Sequence, residues 1–262
     1  MRDCLDILDG RFDQLRILYV TVYRILHWLS EIEHEQKLLP NLRIFSLCCK
    51  RKIRHFDKSI VSLLRRMLNL EELHLNMIVE CNGKFIDGDT LKDIIIYMPR
   101  LYKFIFNICS TINHYDQINF PLNEHIEKTF EYFNNNEIIT CIDHFQEEGY
   151  SQCHVYSYSY KWKVYNNITN NFRGGLFTNV TEVSLYDERP FEDEFFLRIA
   201  QSFPFMKELT IMNRKAQNNK QLIKSNNDNQ MLSIIEYSNL TRLDLTNTHD
   251  DYVELFLFDR KM

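Results

Sequence analysis

Apolar side chains along this chain fall into one recurring phrase, apolar-x-x-apolar-x-apolar. It occurs at Leu15/Leu18/Val20, Leu42/Phe45/Leu47, Leu70/Leu73/Leu75 and Leu101/Phe104/Phe106, and again at Val180/Val183/Leu185, Met206/Leu209/Ile211 and Leu240/Leu243/Leu245. First positions stand 26 to 34 residues apart, except for one gap of 79 that leaves room for two decayed units. Cys153-His154-Val155-Tyr156-Ser157-Tyr158 is a candidate strand inside that gap. The second half of each phrase alternates with period two, as a strand does.

Helical spacing fills the segments between phrases. Ile60, Leu63, Leu64 and Met67 stand at i, i+3, i+4 and i+7, and Leu91, Ile94, Ile95 and Met98 repeat that spacing. Asp89 or Thr90 is a candidate cap for the second of these, and Pro99 stops it. Further helical stripes run through Ile126, Phe130 and Phe133, through Phe195, Phe196 and Ile199, and through Leu232 and Ile235. Tyr23 to Leu38 reads as a helix with Ile25, Leu29 and Ile32 inward, and Tyr252 to Phe258 as the last helix. Asn107 to Pro121 and Lys161 to Gly175 are polar and read as loops, while Ala216 to Gln230, rich in Asn, Lys and Gln, reads as an exposed insertion.

Short strand–helix units yield parallel pairing through right-handed crossovers, and repeated units of about 30 residues stack on one another. The predicted fold is therefore α/β: a leucine-rich-repeat-like solenoid, or horseshoe, with parallel strands on the concave face and helices on the convex face. Residues 1–262 would form a single repeat domain with about seven recognisable repeats, a decayed or inserted region at 107–176 and a mobile insertion at 216–230.

Leu39-Pro40-Asn41-Leu42-Arg43-Ile44-Phe45-Ser46-Leu47 and Asn69-Leu70-Glu71-Glu72-Leu73-His74-Leu75 resemble leucine-rich repeats of the irregular, F-box-associated kind. Phe12 to Leu18, Phe203 to Leu209 and Asn239 to Leu243 are similar to the same group. The resemblance implies substrate recognition for an F-box-type ubiquitin ligase. No F-box stretch precedes Leu15, so a Skp-type adaptor is expected as a partner only if an F-box lies outside this chain. Regular repeats carry Asn or Cys eight residues after the first Leu. Here those positions hold Tyr23, Lys50, Ile78, Cys109, Glu188, Arg214 and Thr248, and Cys109 alone fits, which predicts irregular curvature.

In such a repeat the residues flanking the central apolar position face the concave side. These are Ile17/Tyr19, Ile44/Ser46, Glu72/His74, Lys103/Ile105, Glu182/Ser184, Glu208/Thr210 and Arg242/Asp244. A strip mixing polar, apolar and aromatic side chains suits a protein partner, and equally describes a solvated surface. A net charge of −5 with 26% charged residues argues against a general polyanion binder. The densest basic run, Lys50-Arg51-Lys52-Ile53-Arg54-His55 with Lys58, Arg65 and Arg66, could still meet a phosphate backbone or serve nuclear import, or form a solvated loop.

Other chemistry is weakly signalled. Cys141, His144, Cys153 and His154 are ligand types near one another, but the spacing is no standard zinc pattern, and adjacent residues of a strand point to opposite faces. The same residues could supply a Cys/His nucleophile, for which no oxyanion turn or third orienting residue is identifiable. Cys48 and Cys49 read as packing positions. Tyr156, Tyr158, Tyr160, Trp162 and Tyr165 alternate with polar residues, which fits base stacking or a half-exposed strand followed by a loop. Gly174-Gly175 is a turn signal and not a phosphate loop. No metal, cofactor or catalytic residue is assigned. Seven cysteines without an export signal or membrane span predict a reduced cytoplasmic or nuclear protein, in which the sequons at Asn167, Asn179 and Asn239 carry no glycan.

Overall fold

A computed structural model describes residues 12, 14–25, 38–114, 121–133, 137–218 and 236–257. The chain divides into two compact units, Met1–His144 with Gly149–Tyr158, and Phe145–Glu148 with Ser159–Met262. The architecture is α/β, with one mixed sheet, one parallel sheet and few helices.

In the first unit the repeated phrases become β1 (Ile17–Val22), β2 (Ile44–Cys49), β4 (Glu72–Glu80) and β5 (Lys103–Asn113), with the two-residue β3 (Ile53–Arg54) bonded beside β4. The four long strands pair in parallel with repeats aligned: Leu18, Phe45, Leu73 and Phe104 are direct neighbours, as are Val20, Leu47, Leu75 and Phe106. Each of these residues from Phe45 onward is buried. The alternation is complete in β4, where Leu73, Leu75, Met77 and Val79 are buried and the residues between them are half-buried.

Helical segments cover the inner face. A π-helical turn, Asp57–Val61, runs into α1 (Ser62–Leu64), and the predicted stripe Ile60, Leu63, Leu64 and Met67 is buried. Next come α2 (Gly88–Ile95) and α3 (Asn123–Thr129). The cap of α2 is Asp87, earlier than either predicted candidate, because Gly88 already has helical backbone. Its carboxylate accepts from the Thr90 N–H at 2.9 Å and meets the Lys84 ammonium at 2.9 Å. Burial opposes the charge, but these bonds outweigh it and hold the Asp87 carboxyl below its usual range. The stripe Ile126, Phe130 and Phe133 packs under β5, with the Phe106 and Phe130 rings stacked at 6.1 Å.

Three expectations are corrected. The loop expected from Asn107 to Pro121 is strand through Asn113, since Ile108, Ser110 and Ile112 continue the buried face. Within the long gap, β6 (Ile138–Phe145) and β7 (Tyr150–Ser157) are neighbouring strands, and β7 runs antiparallel to β5. A tight turn joins β6 to β7 without a helix, so the purely parallel expectation fails there. The loop expected from Lys161 to Gly175 contains β8 (Val164–Ile168), because Tyr165 and Ile168 are buried while Asn166 and Asn167 form a bulge, with Asn167 at φ +53°.

The second unit holds a four-stranded parallel sheet, β8, β9 (Glu182–Tyr186), β10 (Glu208–Asn213) and β11 (Arg242–Thr248), in that spatial order. Val183, Leu209 and Leu243 are again direct neighbours. The predicted stripes occur in α4 (Asp193–Ser202) and α5 (Asp250–Leu257). An aromatic cluster fills the core: Tyr165 lies 5.0 Å from Tyr160 and 5.3 Å from Phe177, and Phe177 stacks on Phe203 at 5.0 Å. The expected half-exposed strand of tyrosines is corrected at Tyr156, Tyr160 and Tyr165, which are buried, whereas Tyr158 is 39% exposed and Trp162 half-buried. The predicted helix at Tyr23 to Leu38, most of the insertion at 216–230 and the Leu232/Ile235 stripe lie largely outside the described residues. Among the described residues no helix is long and apolar enough to cross a membrane.

The turns after the strands contain a side-chain ladder that the eight-residue offset overlooks. Seven residues after the first apolar position stand Cys49, Asp187 and Asn213. Asp187 accepts from the N–H of Arg189 at 2.9 Å and from the N–H of Asn170, one turn back, at 2.8 Å. Asn213 accepts from the N–H of Lys215 at 2.9 Å and donates to the carbonyl of Arg189, again one turn back, at 2.7 Å. Asp187 and Asn213 each close their own turn and tie it to the preceding one.

Gly88 marks the closest helix approach: a Cβ there would stand 2.1 Å from the Thr129 carbonyl oxygen, while its N–H donates to the Thr129 hydroxyl at 2.8 Å. Gly88→Ala is expected to separate α2 from α3 and cost about 1–3 kcal/mol in urea unfolding. An unchanged midpoint would contradict this packing.

Candidate functional site

The outer face of the first unit's sheet carries the predicted strip in register. Ile17, Ile44, Glu72 and Lys103 form one row across the strands, and Tyr19, Ser46, His74 and Ile105 the next. Parallel pairing brings together residues far apart in sequence because equivalent positions of successive repeats align. Ile17 is 49% exposed and Tyr19 67%, whereas Ile44, Ser46, Glu72, His74 and Ile105 are half-buried.

Glu72 is the electrostatic centre. Its carboxylate accepts from Lys103 Nζ at 2.8 Å and from the Tyr102 hydroxyl at 3.0 Å. The Lys103 hydrogen bond, helped by Tyr102, holds the Glu72 carboxyl below its usual range despite partial burial. The same carboxylate raises Lys103 and Tyr102. His74 Nε2 lies 3.6 Å from Glu72, too far for a hydrogen bond, and is a buried atom with no such partner among the described residues. Burial and then Lys103 depress the His74 pKa, against the opposing pull of Glu72.

A third row was not foreseen. Asn76 and Asn107 occupy the same place in successive repeats, six residues after Leu70 and Leu101, which is the sequence signal that could have found them. His154 Nε2 meets Asn107 Oδ1 at 2.5 Å, Asn107 donates to Asn76 Oδ1 at 3.0 Å, and Asn76 donates to Cys48 Sγ at 3.6 Å. An amide oxygen only accepts, so His154 is the donor and carries its proton on Nε2. This chain crosses four strands and aligns the polar face.

In the second unit Glu182, Glu208 and Arg242 are likewise adjacent, as are Ser184, Thr210 and Asp244. Arg242 donates to Glu208 at 3.2 Å, while Glu182 is exposed. Ser184 accepts from the Asn167 N–H at 2.9 Å. Asp244 accepts from the hydroxyl and N–H of Thr246, which lower its pKa. Both are therefore engaged within the chain. This face is more acidic than that of the first unit, and its next row pairs the half-buried Tyr186 and Met212.

The remaining candidates separate. Cys153 is buried on the core face and His154 lies on the opposite face, and among the described residues no three His, Cys, Asp or Glu side chains converge as a metal site. The Ser151 hydroxyl lies 3.0 Å from His114 Nε2 and 2.8 Å from His144 Nδ1, a pairing no motif revealed. Ser151 is fully buried, so its oxygen is out of reach of a substrate carbonyl. In the basic run Arg51 donates to the Tyr23 hydroxyl at 2.9 Å, Arg54 pairs with Glu80 at 3.2 Å, Arg65 lies over the Tyr97 ring and Arg66 is buried. Lys50, Lys52 and Lys58 are exposed. The six described cysteines are thiols, and burial raises the pKa of Cys48 and Cys49.

Burial pushes the His154 imidazole down to about 4. The unfolded chain takes up this proton near 6.5 and the folded one only near 4. Stability is therefore complete above pH 6.5 and falls as pH drops toward 4, by about 3 kcal/mol for this group alone. Urea unfolding across that interval should show a shallower pH slope for His154→Gln, and an unchanged slope would contradict the assignment.

Comparison of the chain with protein-family models, with curated proteins and with solved structures finds no match.

Proposed function

We propose that this chain is a non-catalytic protein-binding scaffold of the leucine-rich-repeat kind, with strands lining the concave side of a solenoid and helices backing them. The observation that carries the reading is the outer strand face of the first unit, where exposed Ile17 and Tyr19 stand near the Glu72–Lys103 pair. Aromatic and aliphatic anchors beside a few oriented charges have the composition of a protein interface. The aligned repeats in each unit and the Asp187–Asn213 turn ladder support the repeat reading. With the F-box-associated resemblance, the specific role is substrate recognition for an F-box-type ubiquitin ligase, a Skp-type adaptor entering only through an F-box outside this chain.

Alanine at Tyr19 and His74 on the first unit, and separately at Arg242 on the second, should leave the unfolding midpoint near wild type and weaken capture of binding partners by about tenfold or more. Retention of partners at the wild-type level by the folded Tyr19/His74 variant would remove the first unit's face from consideration.

The second reading is a nucleic-acid or phosphate binder using Lys50, Lys52 and Lys58, which are exposed. Phosphate contacts predict affinity for RNA or DNA that falls steeply with salt. Absence of binding to either at low salt excludes it.

A further inference from the structure

Among the described residues strand β1 ends its sheet and is bonded to β2 on one side only. The carbonyls of Arg16 and Val22 accept from the N–H groups of Ile44 and Lys50, each at 3.0 Å. Backbone groups alternate along a strand, so the N–H and C=O of Ile17, Tyr19 and Thr21 point away from β2. No described strand pairs with that side.

Open edges are ordinarily blunted by charge, proline or a bulge. The other terminal strands follow this rule: β11 carries Arg242 and Asp244 and shifts register against β10, β8 shifts register between Tyr165 and Ile168, and β6 contains Asp143. Ile17-Leu18-Tyr19-Val20-Thr21-Val22 has none of these devices, and its register with β2 is regular throughout. Leu18, Val20 and Val22 on its inner side are only partly buried, so apolar surface remains uncovered beside the open backbone. Arg16 and Arg24 bracket the strand, are exposed, and have no acidic partner among the described residues.

We propose that β1 accepts an extended peptide from a partner protein as an added strand, the peptide having an alternating β-branched centre and acidic residues at both ends. Main-chain bonds to Ile17, Tyr19 and Thr21 supply the pairing, Leu18, Val20 and Val22 receive the inward side chains, and Arg16 and Arg24 select the acidic flanks. A second copy of this chain fits worse, since antiparallel β1–β1 pairing centred on Val20 sets Arg16 against Arg24 of the other copy, and pairing centred on Tyr19 sets Val22 and Gln14, neither acidic, opposite the two arginines. This mode goes beyond the face reading because it uses the edge backbone of β1 rather than the outward side-chain rows that run from Ile17 and Tyr19 across β2, β4 and β5.

The test is fluorescence anisotropy of the full chain with a labelled peptide of alternating Val and Thr carrying two Asp at each end. Saturable binding is expected, weakened by about tenfold or more when alternate peptide nitrogens are methylated. Thr21→Pro, which removes an outward N–H and leaves the β2 ladder intact, should weaken binding comparably. Replacing Asp by Lys in the peptide should abolish binding to wild type and restore it to the Arg16→Glu/Arg24→Glu variant. His74→Ala/Arg242→Ala should bind the peptide as wild type does, which separates this proposal from the strand-face reading. No binding of the Asp-flanked peptide, or equal binding of its methylated form, overturns the proposal. Self-association in sedimentation that Thr21→Pro abolishes assigns the edge to a second copy and overturns the proposed occupant.

Discussion

Registered stacking of one apolar position on its equivalent in the next repeat is the constraint on which each unit depends. Leu18, Phe45, Leu73 and Phe104 in the first unit, and Val183, Leu209 and Leu243 in the second, lie side by side across parallel strands. A slip of one residue in any strand would turn its buried side chains to the outer face and expose polar ones to the core. The same alternation that buries Leu73 and Leu75 leaves Glu72, His74 and Asn76 together on the opposite side. The core and the candidate binding face are thus two consequences of one register.

Polar groups are used differently on the outer face and at the turns. On the face, the chain from His154 through Asn107 and Asn76 to Cys48 links strands sideways, and Lys103 and Tyr102 orient Glu72. At the turns of the second unit, Asp187 and Asn213 meet backbone groups that the end of a strand leaves without ladder partners. A buried backbone group without a partner costs as much as a lost hydrogen bond, so these short side chains allow successive turns to stack closely.

The first unit's sheet becomes antiparallel where β7 joins β5, and the reason is local. Phe145 to Gly149 supplies a tight turn ending at positive φ in Gly149, whereas a parallel return requires a crossover. His154 and Tyr156 on the outer side of β7 are buried, while Tyr19 in β1 is largely exposed. The largely exposed apolar side chains of the outer face are therefore those of β1, Ile17 and Tyr19.

Period and alternation were written in the chain: the seven phrases correspond to β1, β2, β4, β5, β9, β10 and β11, and the helical stripes at Leu91, Phe195 and Tyr252 are helices, because burial on one side imposes a pattern that needs only neighbouring residues to read. The rows joining Glu72 to Lys103, and Tyr19 to Ser46 and His74, also followed from repeat alignment. What only the tertiary structure decided was set by long-range partners. Asn107 and Thr111 look like loop residues until Asn76, His154 and the β4 ladder satisfy them. Tyr160 and Tyr165 look half-exposed until Phe172, Phe177 and Phe203 close around them. A polar residue's place depends on whether a distant group completes its hydrogen bonds, and an aromatic residue's place on what packs against its second face. Neither is encoded in local periodicity.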